Sequence, residues 1–233
     1  MANGTLTTIT APDGATYDAY LTGEQGTGRP AVIVFSPIFG VDDDMTALAD
    51  EWAARGFIVA VPDYFFRVTP GPLGRDEENR KKAFARWEKL DAAQAIEDMR
   101  PLVARLASSS CSNGKLGALG YCAGGELAFL AATRLGAGAI AAFHGCRIDR
   151  HLAEAGSAAN ARMSLHFGDS DPLVPMDEVV RIRSALGGNP KVGIYIYAGA
   201  NHGFSFKGRP SYHETAATES QKQSVEALSV LKV

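Results

Sequence analysis

Short apolar runs alternate along this chain with longer segments in which apolar residues recur at helical spacing. Six runs predict β-strands: buried ones at residues 30–36 and 57–63, and four later ones at residues 115–120, 139–145, 162–168 and 191–198. The segment "MTALADEWAARG" predicts a helix ending at Gly56, and residues 76–107 and 212–231 are also helical in pattern, with a break or kink at Pro101. Helices are expected in the remaining gaps. This alternation predicts an α/β fold with a mostly parallel sheet covered by helices on both faces.

Length and composition narrow the class of protein. With 233 residues and no internal repeat, low-complexity tract or linker, the chain is expected to form a single domain over residues 1–233. The charged fraction of 21% and the net charge of -3 are ordinary, so nucleic acid and anionic membranes are not expected partners. No leader pattern is apparent and no apolar run approaches about 18 residues, which favours a cytoplasmic location.

The cysteines give no sign of a disulfide framework or a zinc site. There are three, Cys111, Cys122 and Cys146, and they are widely spaced without a C-x-x-C pair. Free thiols are the simpler interpretation. Cys111 and Cys146 are expected to be buried or half-buried bystanders, and no metal or cofactor is expected.

Cys122 stands in a glycine-rich bend between a predicted strand and a predicted helix. The sequence Gly120-Tyr121-Cys122-Ala123-Gly124 fits the nucleophile elbow, G-x-nucleophile-x-G, with cysteine in place of the commoner serine. A helix N-terminus directed at the sulfur favours the thiolate. The alternative is a tight turn that carries an inert cysteine. A dinucleotide-binding fingerprint fits the glycine spacing less well.

An elbow nucleophile requires an acid and then a histidine, each on a loop after a later strand. "HFGDSDPLVP" places Asp169 and Asp171 after one predicted strand, and "YAGANHGFSF" places His202 after the next. We favour Asp171 as the acid, although Asp169 and Asp171 both suit a turn. The remaining histidines fit other environments: His144 and His166 are expected in the core, and His151 and His213 in solvent.

Several separated motifs together resemble one known family. "SPIFG", "SNGKLGALGYC", "GYCAGGELAFL", "GDSDPLVP" and "AGANHGFSF" are similar to dienelactone hydrolase (carboxymethylenebutenolidase), over residues 30 to 206. The resemblance implies an α/β-hydrolase fold and a Cys-His-Asp triad that opens small lactones or esters through an acyl-cysteine intermediate. It implies Cys122 as the nucleophile, His202 as the general base and acid, and Asp171 as the group that orients the imidazole.

The resemblance also implies roles for residues outside the triad. Backbone N–H groups of Ile38 and Ala123 would bind the oxyanion. Substrate-binding roles fall on Arg80, Trp87, Tyr64, Phe39 and Phe206. From periodicity alone Trp87 suits the core and Arg80 a solvated face, and Phe39 and Tyr64 suit packing under loops.

Two positions depart from the family pattern. Pro37 stands where the family has a glutamate that keeps the resting thiol protonated, so we expect Cys122 to be a thiolate even without substrate. Phe206 stands where the family has the second of two arginines that bind the substrate carboxylate. A less charged lactone or ester is therefore possible as substrate, unless Lys207 or another cation compensates.

Three other functions remain open at this point. A non-catalytic hydrolase-fold protein would bind a small molecule or a partner with a vestigial triad, and a carboxylesterase would take a different class of ester. A redox protein using Cys122 lacks an evident resolving cysteine in the sequence. The expected partner is a small-molecule lactone or ester, and the expected state a monomer or small homo-oligomer.

Overall fold

A computed structural model describes residues 4–233 of the chain. The backbone falls into two compact units, Met1–Leu116 and Gly117–Val233, and each is described by itself. The expectation of a single domain stays a prediction. In residues 4–233, no helix is both long enough and apolar enough to cross a membrane.

In the first unit, neighbouring strands follow the order β1-β2-β4-β3. Its strands are β1 (Thr5–Thr10), β2 (Thr16–Thr22), β3 (Arg29–Phe35) and β4 (Ile58–Pro62). Strands β3 and β4 are parallel and almost wholly buried, as their apolar runs predict. The antiparallel hairpin β1–β2 was not among the predicted strands. Its first strand, "TLTTIT", is mostly exposed and has too few apolar positions to predict a buried strand.

Four helices complete the first unit. They are α1 (Asp43–Ala54), α2 (Glu77–Glu88), α3 (Ala92–Asp98) and α4 (Arg100–Ser108). Asp42, Asp76 and Asp91 begin the first three, and the carboxylate of each accepts a backbone N–H three residues on. The predicted interruption at Pro101 is confirmed, because α4 starts at the preceding residue, Arg100. In the first turn of a helix the backbone N–H that proline lacks would have no intrahelical hydrogen-bond partner.

The second unit is built on four parallel strands. They are β5 (Ser112–Tyr121), which begins in the first unit, β6 (Ala139–Phe143), β7 (Arg162–Gly168) and β8 (Val192–Tyr197). Their register aligns Tyr121 with Phe143 and Phe143 with His166. The loops that follow β5, β6 and β7 therefore leave the same edge of the sheet at nearly the same height, which brings distant parts of the chain together.

The helices of the second unit pack on these strands. They are α5 (Gly124–Arg134), α6 (Met176–Leu186) and α7 (Glu214–Ser229), with 3-10 segments at Ile148–Ala158 and Val230–Lys232. Helix α5 contacts β6, and α7 contacts β6 and β7. All nine residues of α5 from Gly124 to Ala132 are buried, because this helix lies in the core. That burial holds the N-terminus of α5 firmly against the end of β5.

Candidate active site

Cys122 occupies a strained bend between β5 and α5. Its φ is 55°, in the left-handed region that side chains other than glycine rarely adopt. A Cβ at Gly120 would lie 2.2 Å from the carbonyl oxygen of Gly124, so no side chain fits there. The strand, the sharp turn and the helix together form the elbow that the motif predicts.

The backbone around Cys122 is held on three sides. The Cys122 N–H donates to the carbonyl of Phe143 at 3.1 Å, and the Cys122 carbonyl accepts from Gly125 and Cys146, both at 3.0 Å. A Cβ at Gly125 would lie 2.3 Å from the Cα of Gly145, so the loop after β6 presses directly on α5. These contacts place the loop after β6 beside the elbow.

Asp171 and His202 form the second part of the site. The imidazole Nδ1 of His202 lies 2.8 Å from Oδ2 of Asp171, whose side chain is fully buried. The other carboxylate oxygen of Asp171 accepts the backbone N–H groups of Leu173 at 2.8 Å and Val174 at 3.2 Å. Asp171 is thereby fixed in place and aimed at the ring.

Asp169, the other acid considered from the sequence, has a different place. Its Oδ1 accepts the backbone N–H of Gly199 at 2.7 Å and the hydroxyl of Ser170 at 3.0 Å. The side chain is exposed, and it stabilises the turn after β7. Of the two carboxylates, the one that contacts His202 is Asp171.

The imidazole of His202 faces the sulfur of Cys122. A ring nitrogen of His202 and the Sγ of Cys122 lie within 4.8 Å of each other. The Nε2 atom is buried and has no hydrogen-bond partner among residues 4–233. Because Nδ1 is occupied by Asp171, Nε2 is the atom left to exchange a proton with the thiol or with a substrate.

Cys122 and His202 shift each other's pKa in opposite directions. The pKa of the Cys122 thiol lies well below its usual value, chiefly because the Cys146 thiol hydrogen-bonds to it and then because of the positive charge of His202. The N–H of Ala123, at the start of α5, adds to this lowering of the pKa. Burial lowers the pKa of His202, but the Cys122 thiolate and Asp171 outweigh it and raise that pKa to about 10. The favoured resting state is therefore a thiolate beside an imidazolium.

This ion pair has a measurable consequence for reactivity. The thiolate is the reactive species and is lost only as the pH falls through the lowered pKa of Cys122. We expect the alkylation rate of Cys122 by iodoacetamide to show no inflection near the ~8.5 of a free thiol, and to fall only in acid. The rate is read from the Cys122 peptide by mass spectrometry across pH, with free cysteine as the standard. An inflection of the Cys122 rate near that of the standard would contradict the prediction.

Cys146 is a member of the site that sequence reasoning missed. Its Sγ lies within 4.8 Å of both the Cys122 Sγ and a ring nitrogen of His202, and it is buried. The expectation of a bystander is therefore wrong for Cys146. A signal was present, since Cys146 lies three residues after β6, which neighbours the elbow strand, but the contact itself depends on the Gly125–Gly145 packing. Cys111 is half-buried in the first unit, and its carbonyl accepts the N–H of Arg29.

The other histidines follow the predictions only in part. His166 is in the core and fully bonded, to Ser164, Ser224 and Tyr197, and burial lowers its pKa to about 3. His144 is also buried, but its ring packs edge-on against that of His202, with the two ring centroids 4.7 Å apart. Its Nδ1 has no hydrogen-bond partner within residues 4–233. Burial and then the charge of His202 hold the pKa of His144 well below its usual value. The imidazole of His144 is therefore neutral, and it packs against the ring of His202.

The expectation of solvated positions for His151 and His213 is corrected by the structure. The side chain of His151 is only 17% exposed, and its Nε2 lies 2.7 Å from the buried Glu126. His213 is half-buried and begins helix α7, where its Nδ1 accepts the N–H of Ala216 at 3.3 Å. Each of these rings is held by a specific partner that the local sequence does not reveal.

In the first unit, the loop that contains Ile38 is fixed by a buried arginine. Arg86, on α2, donates from Nε and Nη2 to the carbonyl of Ile38 at 2.9 and 2.7 Å. Its Nη1 donates to the carbonyls of Thr69 and Gly71. Burial lowers the pKa of Arg86, and its guanidinium lies over the ring of Phe65. Sequence reasoning did not single out Arg86, because its charge sits within a strongly charged helix.

The predicted substrate-binding residues differ in exposure. Tyr64 is 1% exposed and donates its hydroxyl to the Ser36 carbonyl at 2.7 Å, and Trp87 is 8% exposed. Phe39 is half-buried beneath the Arg75 guanidinium. Arg80 is exposed on α2, as periodicity predicts, in a groove that Phe84 also lines.

Phe206, in the second unit, is 7% exposed, and its ring packs against an arginine side chain. The guanidinium of Arg209 lies 3.8 Å from the ring centroid, a cation–π contact. Sequence reasoning named Lys207 as a possible compensating cation, but Lys207 is exposed and the residue stacked on Phe206 is Arg209. A positive charge is therefore present beside the position where the family has arginine.

Across residues 4–233, Cys122, Cys146 and His202 are the one group of potential metal ligands whose donor atoms are close together. Two thiols and an imidazole are ligand types that zinc accepts, and catalytic zinc sites use three protein ligands. The ion pair of Cys122 and His202 and the hydrogen bond to Asp171 match nucleophilic chemistry.

Known proteins are similar to this chain over nearly all of its length. Carboxymethylenebutenolidase from Pseudomonas putida is 26% identical over 226 residues, covering 96% of this chain and 95% of its own. The same enzyme from another Pseudomonas species is 28% identical over 226 residues, covering 96% and 94%. A crystal structure of a dienelactone hydrolase-like promiscuous phosphotriesterase from metagenomic libraries superposes with a TM-score of 0.75 at 23% identity, covering 98% and 99%.

The family comparison agrees with the fold. The model of the dienelactone hydrolase family matches residues 17–231, which include the elbow, Asp171 and His202. This match covers both units and most of every strand except β1. The chain therefore belongs to the dienelactone hydrolase family and is a hydrolase with the α/β-hydrolase fold.

Proposed function

We propose that this protein hydrolyses a small lactone or activated ester through an acyl intermediate on Cys122. The observation that carries the proposal is the Cys122 sulfur at an elbow with φ 55°, within 4.8 Å of a His202 ring nitrogen that is itself held by Asp171. Family membership supports the class of substrate. No cofactor is needed for this chemistry.

The proposed reaction begins with the thiolate already formed. The sulfur attacks the substrate carbonyl carbon, and the N–H group of Ala123 binds the negative oxygen that results. The His202 imidazolium then gives its Nε2 proton to the departing oxygen, which leaves an acyl-cysteine and a neutral imidazole. That imidazole next takes a proton from a water molecule, which attacks the thioester and releases the acid. Asp171 keeps the ring in the tautomer and orientation that both steps require.

The nucleophile favours substrates with good leaving groups. A thiolate is expelled from a tetrahedral intermediate more readily than an alkoxide, so an ordinary alkyl ester returns to reactants. An enol lactone or an aryl ester instead releases a stabilised oxygen anion. The preformed thiolate of Cys122 therefore supports enol lactones and activated esters as the substrate class.

The proposal is tested by trapping the intermediate. With p-nitrophenyl acetate, we expect a burst of p-nitrophenolate equal to the enzyme concentration, and an acetyl group on the peptide that contains Cys122. Cys111→Ser is the matched control, because this thiol lies in the other unit, and it should retain the burst. No burst and no turnover would favour a non-catalytic binding protein. Acetylation at another residue would assign the nucleophile elsewhere.

We also propose that Arg80 binds a carboxylate on the substrate. Its guanidinium is exposed, and no carboxylate within residues 4–233 forms an ion pair with it. The neighbouring Lys81 and Lys82 are instead paired with Glu77 at 2.6 Å and Glu78 at 2.7 Å. Arg80 is thus the cation of this helix segment that remains available to an anion.

A matched pair of variants tests this role. Arg80→Ala is expected to raise KM for lactones and esters that carry a carboxylate by about tenfold, the effect of one charge-assisted hydrogen bond. Neutral esters should be unaffected. Lys81→Ala removes a neighbouring charge that is already neutralised by Glu77, and should change neither class. Equal KM values for Arg80→Ala and wild type on carboxylate substrates would remove Arg80 from the site.

A further inference from the structure

A second thiol lies beside the nucleophile, and the hydrolytic mechanism gives it no covalent step. The Sγ atoms of Cys146 and Cys122 lie within 4.8 Å of each other, and both side chains are buried. The Cys146 sulfur also makes a weak contact with the carbonyl of His144, at 3.9 Å. In the proposed hydrolysis Cys146 favours the Cys122 thiolate through a hydrogen bond, but it forms no covalent bond itself.

The backbone geometry suits a covalent bond between the two sulfurs. The Cys146 N–H donates to the Cys122 carbonyl at 3.0 Å. This hydrogen bond keeps the two backbones adjacent, as a disulfide requires. The contact of Gly125 with Gly145 maintains this arrangement, because a Cβ at Gly125 would lie 2.3 Å from the Cα of Gly145. A disulfide bond is about 2.05 Å long, so the two sulfurs, which lie within 4.8 Å of each other, must approach by less than about 3 Å.

From this geometry we infer that Cys122 and Cys146 form a reversible disulfide when the protein meets hydrogen peroxide or a small organic hydroperoxide. The site is a modification site separate from hydrolysis, although it uses the same nucleophile. It supplies the resolving cysteine that the sequence did not reveal. Cys111, which lies in the other unit, takes no part.

The reaction balances in two steps. The Cys122 thiolate attacks one oxygen of hydrogen peroxide, the O–O bond breaks, and the departing hydroxide takes the proton of His202 and leaves as water. Cys122 is then a sulfenic acid. The Cys146 sulfur attacks the Cys122 sulfur, the S–O bond breaks, and the hydroxide leaves as a second water with the proton of the Cys146 thiol. In sum two thiols lose two electrons and one peroxide is reduced to two waters.

The electrostatics give each thiol a separate role. Cys122 reacts first, because its pKa is lowered and it is the thiolate. The hydrogen bond to the Cys122 thiolate, then burial, hold the pKa of Cys146 well above its usual value, so Cys146 stays protonated in the resting state. Oxidation of Cys122 to the neutral sulfenic acid removes the negative charge. Cys146 then loses its proton more easily and attacks.

The consequence is a hydrolase whose oxidised form is inactive but recoverable. A disulfide at Cys122 blocks acyl transfer, and a dithiol reductant restores the thiolate. Without a neighbouring thiol, the sulfenic acid is exposed to a second peroxide and proceeds to the sulfinic acid, which such reductants do not reverse. Cys146 therefore protects the nucleophile.

The experiment treats the full-length protein with graded hydrogen peroxide and then maps its peptides without reduction. We expect a single product that has lost two hydrogen atoms per chain, with the Cys122 and Cys146 peptides joined within one molecule. Esterase activity falls in proportion to the joined fraction and returns with dithiothreitol. The Cys111→Ser variant should behave in the same way. Since the linkage is read by mass, the result does not depend on whether the protein hydrolyses any ester.

The variant Cys146→Ser separates the role of the second thiol. We expect peroxide to add two oxygen atoms at its Cys122 and to abolish activity in a way that dithiothreitol does not reverse. Cys146→Ala serves in its place if the serine variant does not fold, as judged by circular dichroism. Three results would overturn the inference: sulfinic acid at Cys122 of the wild type, a bond to Cys111, or a bond between two chains. The map of the wild-type protein decides among these even if neither variant folds.

Discussion

Replacing Cys122 with alanine is expected to lower kcat/KM for an activated ester by at least about 10⁴-fold, the scale seen when a triad nucleophile is removed. In the proposed mechanism no other group can carry the acyl chain, so the covalent route is closed. The remaining activity would come from donors that polarise the carbonyl toward water. This loss corresponds to about 5.5 kcal/mol of transition-state stabilisation. Initial rates with p-nitrophenyl acetate and with an enol lactone measure it.

The controls for Cys122→Ala address folding and location. Alanine has the same backbone preferences as cysteine at a φ of 55°, so the elbow should persist, and circular dichroism and thermal melting check this. Cys111→Ala removes a thiol in the first unit and should leave kcat/KM near the wild-type value. If Cys122→Ala kept a rate close to that of Cys111→Ala, another nucleophile would be required.

Replacing Asp171 with asparagine is expected to reduce kcat by about 10³ to 10⁴-fold, with a smaller effect on KM. The Oδ2 atom of Asp171 lies 2.8 Å from Nδ1 of His202, and the Oδ1 atom is occupied by the N–H groups of Leu173 and Val174. In Asp171→Asn the amide oxygen keeps those two donors, and the NH₂ group then faces Nδ1. The ring must place its proton on Nε2, which therefore cannot accept one from water.

Asp169→Asn is the matched control, since it makes the same chemical change two residues away. The Asp169 carboxylate is exposed and bonds to Gly199 and Ser170, which asparagine also can satisfy in part. We expect a change in kcat within about threefold and a small loss of stability. A larger kcat loss in Asp169→Asn than in Asp171→Asn would reverse the assignment of the acid. Steady-state kinetics and thermal melting of both proteins give the answer.

The buried strands were predictable because they are consecutive apolar runs. All six predicted strands are present, within a few residues of the predicted bounds. Strands such as β3 and β4 are buried on both faces and need apolar residues at nearly every position, whereas β8 is only half-buried along its length. The hairpin β1–β2 was missed because β1 is mostly exposed and its apolar residues are sparse.

The helical pattern over 76–107 correctly predicted helix but not its division into α2, α3 and α4. Asp91 caps α3, and this cap lies within a run that reads as continuous helix.

The arrangement of the proposed triad was predictable for a similar reason. Parallel strands end at a common edge, so residues that follow successive strands converge there whatever their separation along the chain. Cys122, Asp171 and His202 each follow such a strand, after β5, β7 and β8. The positions of Asp171 and His202 in the chain were enough to select them, and the 2.8 Å contact between them agrees with that selection.

Three features depended on packing between segments that are distant in the chain. Cys146 meets Cys122 because Gly125 and Gly145 pack backbone to backbone. Arg86 is buried because three carbonyl groups from two loops surround it, and His151 is held because Glu126 lies beneath it. Nothing in the residues next to these side chains indicates their partners.

The sequence by itself determined the α/β alternation, the elbow at Cys122 and the order of acid and base, because each depends on local spacing and on where strands end. Only the tertiary structure decided which thiol lies beside the nucleophile, which charges are buried, and how far the pKa values of Cys122 and His202 move. The physical reason is that hydrogen bonding, burial and electrostatic interaction vary steeply with distances of a few ångströms. Those distances are set by the packing of the whole unit.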